Sequence, residues 1–245
     1  MGAIFFKSLV ALSGGALSVV LLRSASLSAA SNSSFRTYLI AIHGGLALAL
    51  FLCVYVIANQ PITSDVPGYY VPAAHAVAAG LLPYRDFATN YAPLFSYVGA
   101  ALLSLWSDPR SFALFSILLS ALTLARWNDL AAQYFKQRIA RAAPVLYATN
   151  GHVLTQCLLG TNQIWIGFAL ALSARLALRG DVFFSGVLQG VAVSVTKVLA
   201  LLFWPAFWIA GRPRVLWPAG STIMASIVYG AFALRGADVF LSAMG

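Results

Sequence analysis

Long apolar runs separated by short polar breaks dominate this chain, and their lengths predict helices that cross a membrane. Residues 37–58 form the clearest run, close to the roughly 20 residues that a spanning helix needs. Further runs cover 92–106, 111–125, 142–159, 161–178, 183–210 and 215–234. Between 92–106 and 111–125 stands Ser107-Asp108-Pro109-Arg110, a turn signal. Residues 126–141 carry Arg126, Lys136, Arg138 and Arg141 and read as an interfacial segment. Ten-residue stretches of alternating polarity are absent, which argues against a β-barrel. The expected fold class is all-α: a polytopic transmembrane helical bundle with about seven spanning helices.

Two stretches depart from this rhythm. Residues 3–22 are apolar apart from Lys7, and a Ser- and Ala-rich link runs from Arg23 to Arg36. Residues 1–36 are therefore expected to be a signal-like or extra N-terminal membrane segment, set apart from 37–245. The other departure is Pro61–Tyr91, the one long polar stretch. Within it, 71–80 is helix-prone and closed by Gly80, which predicts a short helix lying on the membrane surface.

The positive-inside rule sets Arg23, Arg36, Arg212 and Arg214 in the cytoplasm, so Pro61–Tyr91 faces outward one crossing later. If every apolar segment crosses once, 107–110 is inside and 126–141 outside. That count leaves four basic residues of 126–141 on the disfavoured face.

Composition supports the membrane reading. The chain is 61% hydrophobic and only 9% charged, against about 25% charged in soluble domains. Its mean hydropathy is +0.85. All six acidic residues are aspartates, and the net charge is +9. No basic run with interleaved aromatics stands outside the apolar segments, so nucleic acid is not an expected partner. The cations instead read as anchors at helix ends facing anionic headgroups. Cys53 and Cys157 both lie in apolar runs and read as small hydrophobes rather than a disulfide. His43 and His152 read as intrahelical hydrogen-bonders and His75 as a surface residue; the three show no metal-ligand spacing. Gly44-Gly45 reads as a helix-packing contact.

Candidate chemistry gathers in the polar stretch. Asp65 follows the first clear helix. There a carboxylate accepts a proton from a hydroxyl acceptor, holds a divalent cation, or simply opens the turn before Pro67-Gly68. Tyr84, Arg85 and Asp86 invite the same comparison. The planar fork of Arg85 matches a phosphate, while an Arg85–Asp86 pair solvated at headgroup level is the plain alternative. Tyr69, Tyr70, Tyr84 and Tyr91 read as an aromatic belt or a sugar platform. Asn90-Tyr91-Ala92-Pro93 is a helix-start signature. Asn162 and Gln163, after Gly160-Thr161, supply amides for sugar hydroxyls or a capped helix start. Lys197 is a lone cation inside an apolar run, a functional position by default and a natural partner of a lipid phosphate, with snorkelling to the interface as the plain reading.

Together these residues resemble the GT-C superfamily of polytopic glycosyltransferases, in the bacterial mannosyltransferase-like branch that uses polyprenyl-phosphate sugars. The resemblance rests on Asp65, on Gly80-Leu81-Leu82-Pro83-Tyr84-Arg85-Asp86-Phe87, on Tyr91-Ala92-Pro93-Leu94, on Gly160-Thr161-Asn162-Gln163, and on Gly186, Gly190 and Lys197. It covers about residues 37 to 245, and it is the order and spacing of the motifs that carries it. Ala92-Pro93 replaces the usual Pro-Pro. Members of the superfamily are longer, and this sequence ends near where their second outward loop begins, so the resemblance implies an N-terminal module or a truncated member.

The resemblance also implies the chemistry. Asp65 acts as catalytic base; Tyr69, Tyr70, Tyr84, Arg85, Asp86, Tyr91, Asn162, Gln163 and Lys197 bind substrate. The implied partners are a polyprenyl-phosphate sugar donor and membrane lipids. No cofactor follows beyond a possible divalent cation at Asp65, and the implied location is a bacterial inner membrane. A non-catalytic accessory protein of the same fold is the alternative. A transporter is disfavoured because no internal repeat of broken helices is evident.

Overall fold

The computed structural model describes residues 20–21, 31–63, 65–196 and 215–235. Lys197, Arg23, Arg212, Arg214 and most of the N-terminal segment lie outside the described residues. The structure is all-helical, with no strand among the described residues. In chain order the helices are α1 (Asn32–Phe51, continued by a wider π-turn Leu52–Ile57), α2 (Val71–Ala78, preceded by a π-turn Val66–Tyr70), α3 (Pro93–Leu105), α4 (Ser111–Tyr134), α5 (Gln137–Thr149), α6 (Gly151–Leu158), α7 (Asn162–Leu178), α8 (Val182–Val195) and α9 (Leu216–Arg235). Among the described residues, three helical stretches are long and apolar enough to cross a membrane: Asn32–Ile57, Ser111–Tyr134 and Leu216–Arg235. The chain divides into two compact units, Met1–Pro61 with Ala113–Ile164 and Ile62–Phe112 with Trp165–Gly245.

The first unit is three helical strokes side by side. Ser31 caps α1 by accepting from Ser34 N at 3.3 Å. Asn32 and Arg36, in the first turns of α1, meet Asn128 and Asp129 near the end of α4. Further along, His43 meets Ser120, so α1 and α4 run antiparallel. The third stroke is α5 followed by α6. Arg141 lies over the Phe35 ring, Ala148 O meets His43, and Leu158 O accepts from Tyr55 at 2.6 Å, so this stroke runs parallel to α1 along its length. It reads in sequence as one segment, 142–159, but breaks at Asn150. There the Asn150 side chain leaves the helical path to accept from His152 N and Val153 N and caps α6.

His43 ties the three strokes together. It is fully buried; Nδ1 lies 2.7 Å from Ala148 O and Nε2 lies 2.9 Å from Ser120 Oγ. These bonds join helices, where intrahelical bonds were expected. A buried polar ring left unpaired would cost roughly 1–3 kcal/mol, so both partners are needed. Phe35, Leu39, Leu124, Val145 and Ala148 form the apolar core around it.

The antiparallel α1–α4 pair changes the topology expected from counting. Arg36 and 126–141 come together at one end of this unit, whereas one crossing per apolar segment sets them on opposite faces. Two local facts account for the difference. Segment 92–106 yields only the 13-residue α3, about 20 Å long and short of the roughly 30 Å hydrocarbon core. And 126–134 continues α4 rather than starting a separate interfacial helix.

In the second unit α8 and α9 pack closely and run parallel: Gly186 faces Trp217, Gly190 faces Ser221 and Met224, and Val193 O accepts from Tyr229. A Cβ at Gly186 would collide with the Trp217 carbonyl, and one at Gly190 would sit 2.7 Å from Ser221 O. Small residues let helix backbones approach in this way in apolar surroundings. Gly44-Gly45, expected at such a contact, has no described residue within 4 Å of either Cβ position. Ser173 of α7 and Ser185 of α8 exchange hydroxyl-to-carbonyl bonds at 2.9 and 2.8 Å, and Trp217 Nε1 donates to Ser185 Oγ at 3.2 Å. The run read as 183–210 ends its helix at Val195; Thr196 leaves the helical region at φ −117°, ψ −95°.

Gly186→Ala tests the α8–α9 contact. The added methyl has no room against the facing backbone, so it should cost roughly 1–3 kcal/mol and lower the thermal midpoint of the detergent-purified protein. A midpoint equal to wild type would contradict the close approach.

Candidate functional site

The second unit opens with the polar stretch singled out in sequence. Asp65, partly exposed, leads into the π-turn Val66–Tyr70, which runs straight into α2. Gly80 ends α2 at φ +86°, a conformation glycine adopts without a Cβ penalty. A tight turn follows over 82–87. Asp86 N and Arg85 N both donate to Leu82 O, Tyr84 N donates to Phe87 O, and Leu82 N donates to the Asp86 carboxylate at 2.8 Å. Tyr84 sits at φ +64°, rare for a residue with a Cβ, and its hydroxyl donates to Tyr91 O. The side-chain anchor offsets part of the cost of that conformation, which is of order 1–3 kcal/mol.

Tyr91 is the hinge of the site. Its hydroxyl donates to Asp65 Oδ2 at 2.5 Å across 26 residues of sequence. Its amide donates to Thr89 Oγ1 at 3.2 Å, and Ala92 N donates to Thr196 O at 3.4 Å, which ties the start of α3 to the end of α8. The ring belongs to an aromatic floor: it stacks on Phe95 at 4.9 Å and meets Tyr70 edge-on at 5.0 Å. Phe95 and Phe112 in turn contact Trp165. Burial is the main reason the Tyr91 hydroxyl is held well above its ordinary pKa, with the Asp65 hydrogen bond adding to it. Burial does the same to Tyr84. Both hydroxyls therefore stay protonated, and remain donors, throughout the physiological range.

The other oxygen of Asp65 has no hydrogen-bond partner among the described residues. Among the described residues, the site thus holds a carboxylate with one oxygen bonded to Tyr91 and the other without a hydrogen-bond partner.

Arg85 and Asp86 answer each other. Nε and Nη2 of Arg85 reach the two carboxylate oxygens at 2.9 and 2.8 Å. That fork, with the Leu82 amide, holds the Asp86 carboxyl below its usual range. The sign is that of a depressed carboxylate: the pair is intact at neutral pH and is lost as pH falls through the lowered value.

Of the tyrosines read as a belt or platform, Tyr70 is fully buried and Tyr69 is 58% exposed. Asn162 is buried and Gln163 exposed at the start of α7, and both belong to the first unit. Lys197 lies outside the described residues. Among the described residues no three His, Cys, Asp or Glu side chains gather as metal ligands. The aromatic floor of Phe95, Phe112 and Trp165 was not singled out in sequence; its only local signal is Phe95, one helical turn beyond Tyr91.

No protein-family model, curated protein or solved structure matches the chain.

A double-mutant cycle of Tyr91→Phe and Asp65→Ala tests the central bond. Tyr91→Phe keeps the ring and removes the donor, and should cost about 1 kcal/mol in thermal or denaturant unfolding. The two changes should cost less together than the sum of each alone. Strict additivity would mean that the hydroxyl and the carboxylate do not interact.

Proposed function

We propose that the chain is a polytopic membrane glycosyltransferase, with the approximately seven-helix GT-C arrangement that its motifs resemble. It would transfer a sugar from a polyprenyl-phosphate donor to a hydroxyl acceptor on the non-cytoplasmic face of a bacterial inner membrane. The observation that carries this reading is Asp65: a partly exposed carboxylate held by Tyr91 through one oxygen, with no partner for the other among the described residues. In the proposed step that other oxygen takes the proton of the acceptor hydroxyl. The acceptor oxygen attacks the anomeric carbon with inversion. The bond from that carbon to the phosphate oxygen breaks, and the electron pair leaves on the polyprenyl phosphate. Arg85 and Lys197 are the cations assigned to the developing phosphate charge. Tyr69, exposed on the turn that Asp65 opens, is the aromatic assigned to the sugar.

One observation favours a non-catalytic, accessory role for the same fold. The Arg85 fork is already engaged by Asp86, so a phosphate would have to compete for it.

Asp65→Asn separates the two readings. The amide keeps the shape and removes the base, so transfer from a polyprenyl-phosphate sugar should fall by roughly 10²–10⁴-fold while expression and donor binding hold. Turnover near wild type would remove Asp65 from the mechanism. A wild-type protein that binds donor without turnover would establish the accessory role.

A further inference from the structure

Every charged side chain among the described residues of the first unit sits at one end of it: Arg36, Arg126, Asp129, Lys136, Arg138 and Arg141. Five are cations and one is an anion. The opposite end, where Tyr55 meets Leu158 and Cys157 meets Ser116, has none. At the charged end two guanidiniums share one carboxylate. Arg36 Nη1 reaches Asp129 Oδ1 at 2.9 Å and Arg126 Nη1 reaches Asp129 Oδ2 at 3.7 Å. The arginines keep 40% and 36% of their side chains exposed. A guanidinium has five N–H donors. Arg36 spends one of them on Asp129, and Arg126 approaches only at ion-pair distance. Among the described residues, these two ion pairs set two positive charges against one negative charge. Arg141 adds a third guanidinium beside them, 4.3 Å above the ring of Phe35, the residue next to Arg36.

We propose that this end of the first unit is a docking site for the phosphate of an anionic glycerophospholipid headgroup in the cytoplasmic leaflet, bridged between Arg36 and Arg126. The partner follows from placement and chemistry. Arg36 lies in the second turn of a helix long and apolar enough to span, which sets it at headgroup level. The net charge of the cluster is positive, and an excess of Lys and Arg marks the cytoplasmic face. The planar forks suit a tetrahedral phosphate in two-point contact. Exposed basic side chains also gain from an anionic membrane surface. The site is independent of the glycosyl-transfer reading.

The test uses the full chain in nanodiscs of phosphatidylcholine alone, or with one third phosphatidylglycerol (proportion about 0.3, an ordinary anionic surface). Tryptophan fluorescence gives the thermal midpoint, and native mass spectrometry gives the lipid retained. The wild-type midpoint should rise with phosphatidylglycerol, which should be retained over phosphatidylcholine. Arg36→Gln with Arg126→Gln should lower that preference by roughly thirtyfold, since each of the two basic residues contributes on the order of 1 kcal/mol at an anionic surface. Asp129→Asn removes the competing carboxylate and should keep or raise the preference, although it breaks both ion pairs. A wild type without preference for phosphatidylglycerol overturns the proposal. So does an Asp129→Asn variant that loses the preference, because the arginines would then serve only the carboxylate; this holds even if the double arginine variant fails to fold. Inorganic phosphate that raises the midpoint equally in phosphatidylcholine discs would assign the site to a free anion and reject lipid docking.

Discussion

An ion inside hydrocarbon is expensive, and a backbone or side-chain polar group there must find its partners within the protein. The first unit is arranged around that constraint. Its described charges are gathered at one end, and His43, the buried ring in its middle, is bonded on both nitrogens. The antiparallel course of α1 and α4 follows from bringing Arg36 to Asp129. The parallel course of α5–α6 follows from bringing Ala148 and Leu158 to His43 and Tyr55. The far end is left apolar, and there α1 ends, a few residues before Asp65.

The second unit uses close packing instead. Gly186, Gly190 and Gly220 allow α8 and α9 to approach at backbone distance, and Ser173, Ser185 and Trp217 satisfy one another there. The tight contact and the aromatic floor of Tyr70, Phe95, Phe112 and Trp165 both lie within this unit. The Ala92–Thr196 bond links the end of the site loop to the end of α8, so the loop is tied to the packed helices rather than free.

Much of the helical plan was legible in the sequence because it depends on local signals. Long apolar runs located α1, α4 and α9; Gly80 located the end of α2; Pro93 located the start of α3. What sequence reading lost depends on contacts between distant residues. The basic residues of 126–141 looked like a separate surface segment, because the contact that ties this end of α4 to α1, Asp129 with Arg36, spans 93 residues. The break at Asn150 sits inside an apolar run and needs only one capping amide to form. In the site, Asp65 stood out through its rarity in an apolar chain. Tyr91 did not stand out as its partner, because hydrophobicity and spacing carry no record of a hydroxyl meeting a carboxylate across the loop. Nor did the mutual Arg85–Asp86 fork have a sequence signal stronger than that of an arginine open to phosphate.

The proposed transfer site and the proposed lipid site each require one side of the membrane, and cysteine labelling in intact cells measures both. Ala88 on the site loop and Gln133 near the arginines are both exposed positions. Single cysteines would be placed there in a background lacking Cys53 and Cys157. A membrane-impermeant thiol reagent should label position 88 in intact cells and position 133 only after the membrane is opened. Protection of 88 would contradict the proposed outward carboxylate, and labelling of 133 from outside would contradict the proposed cytoplasmic lipid site.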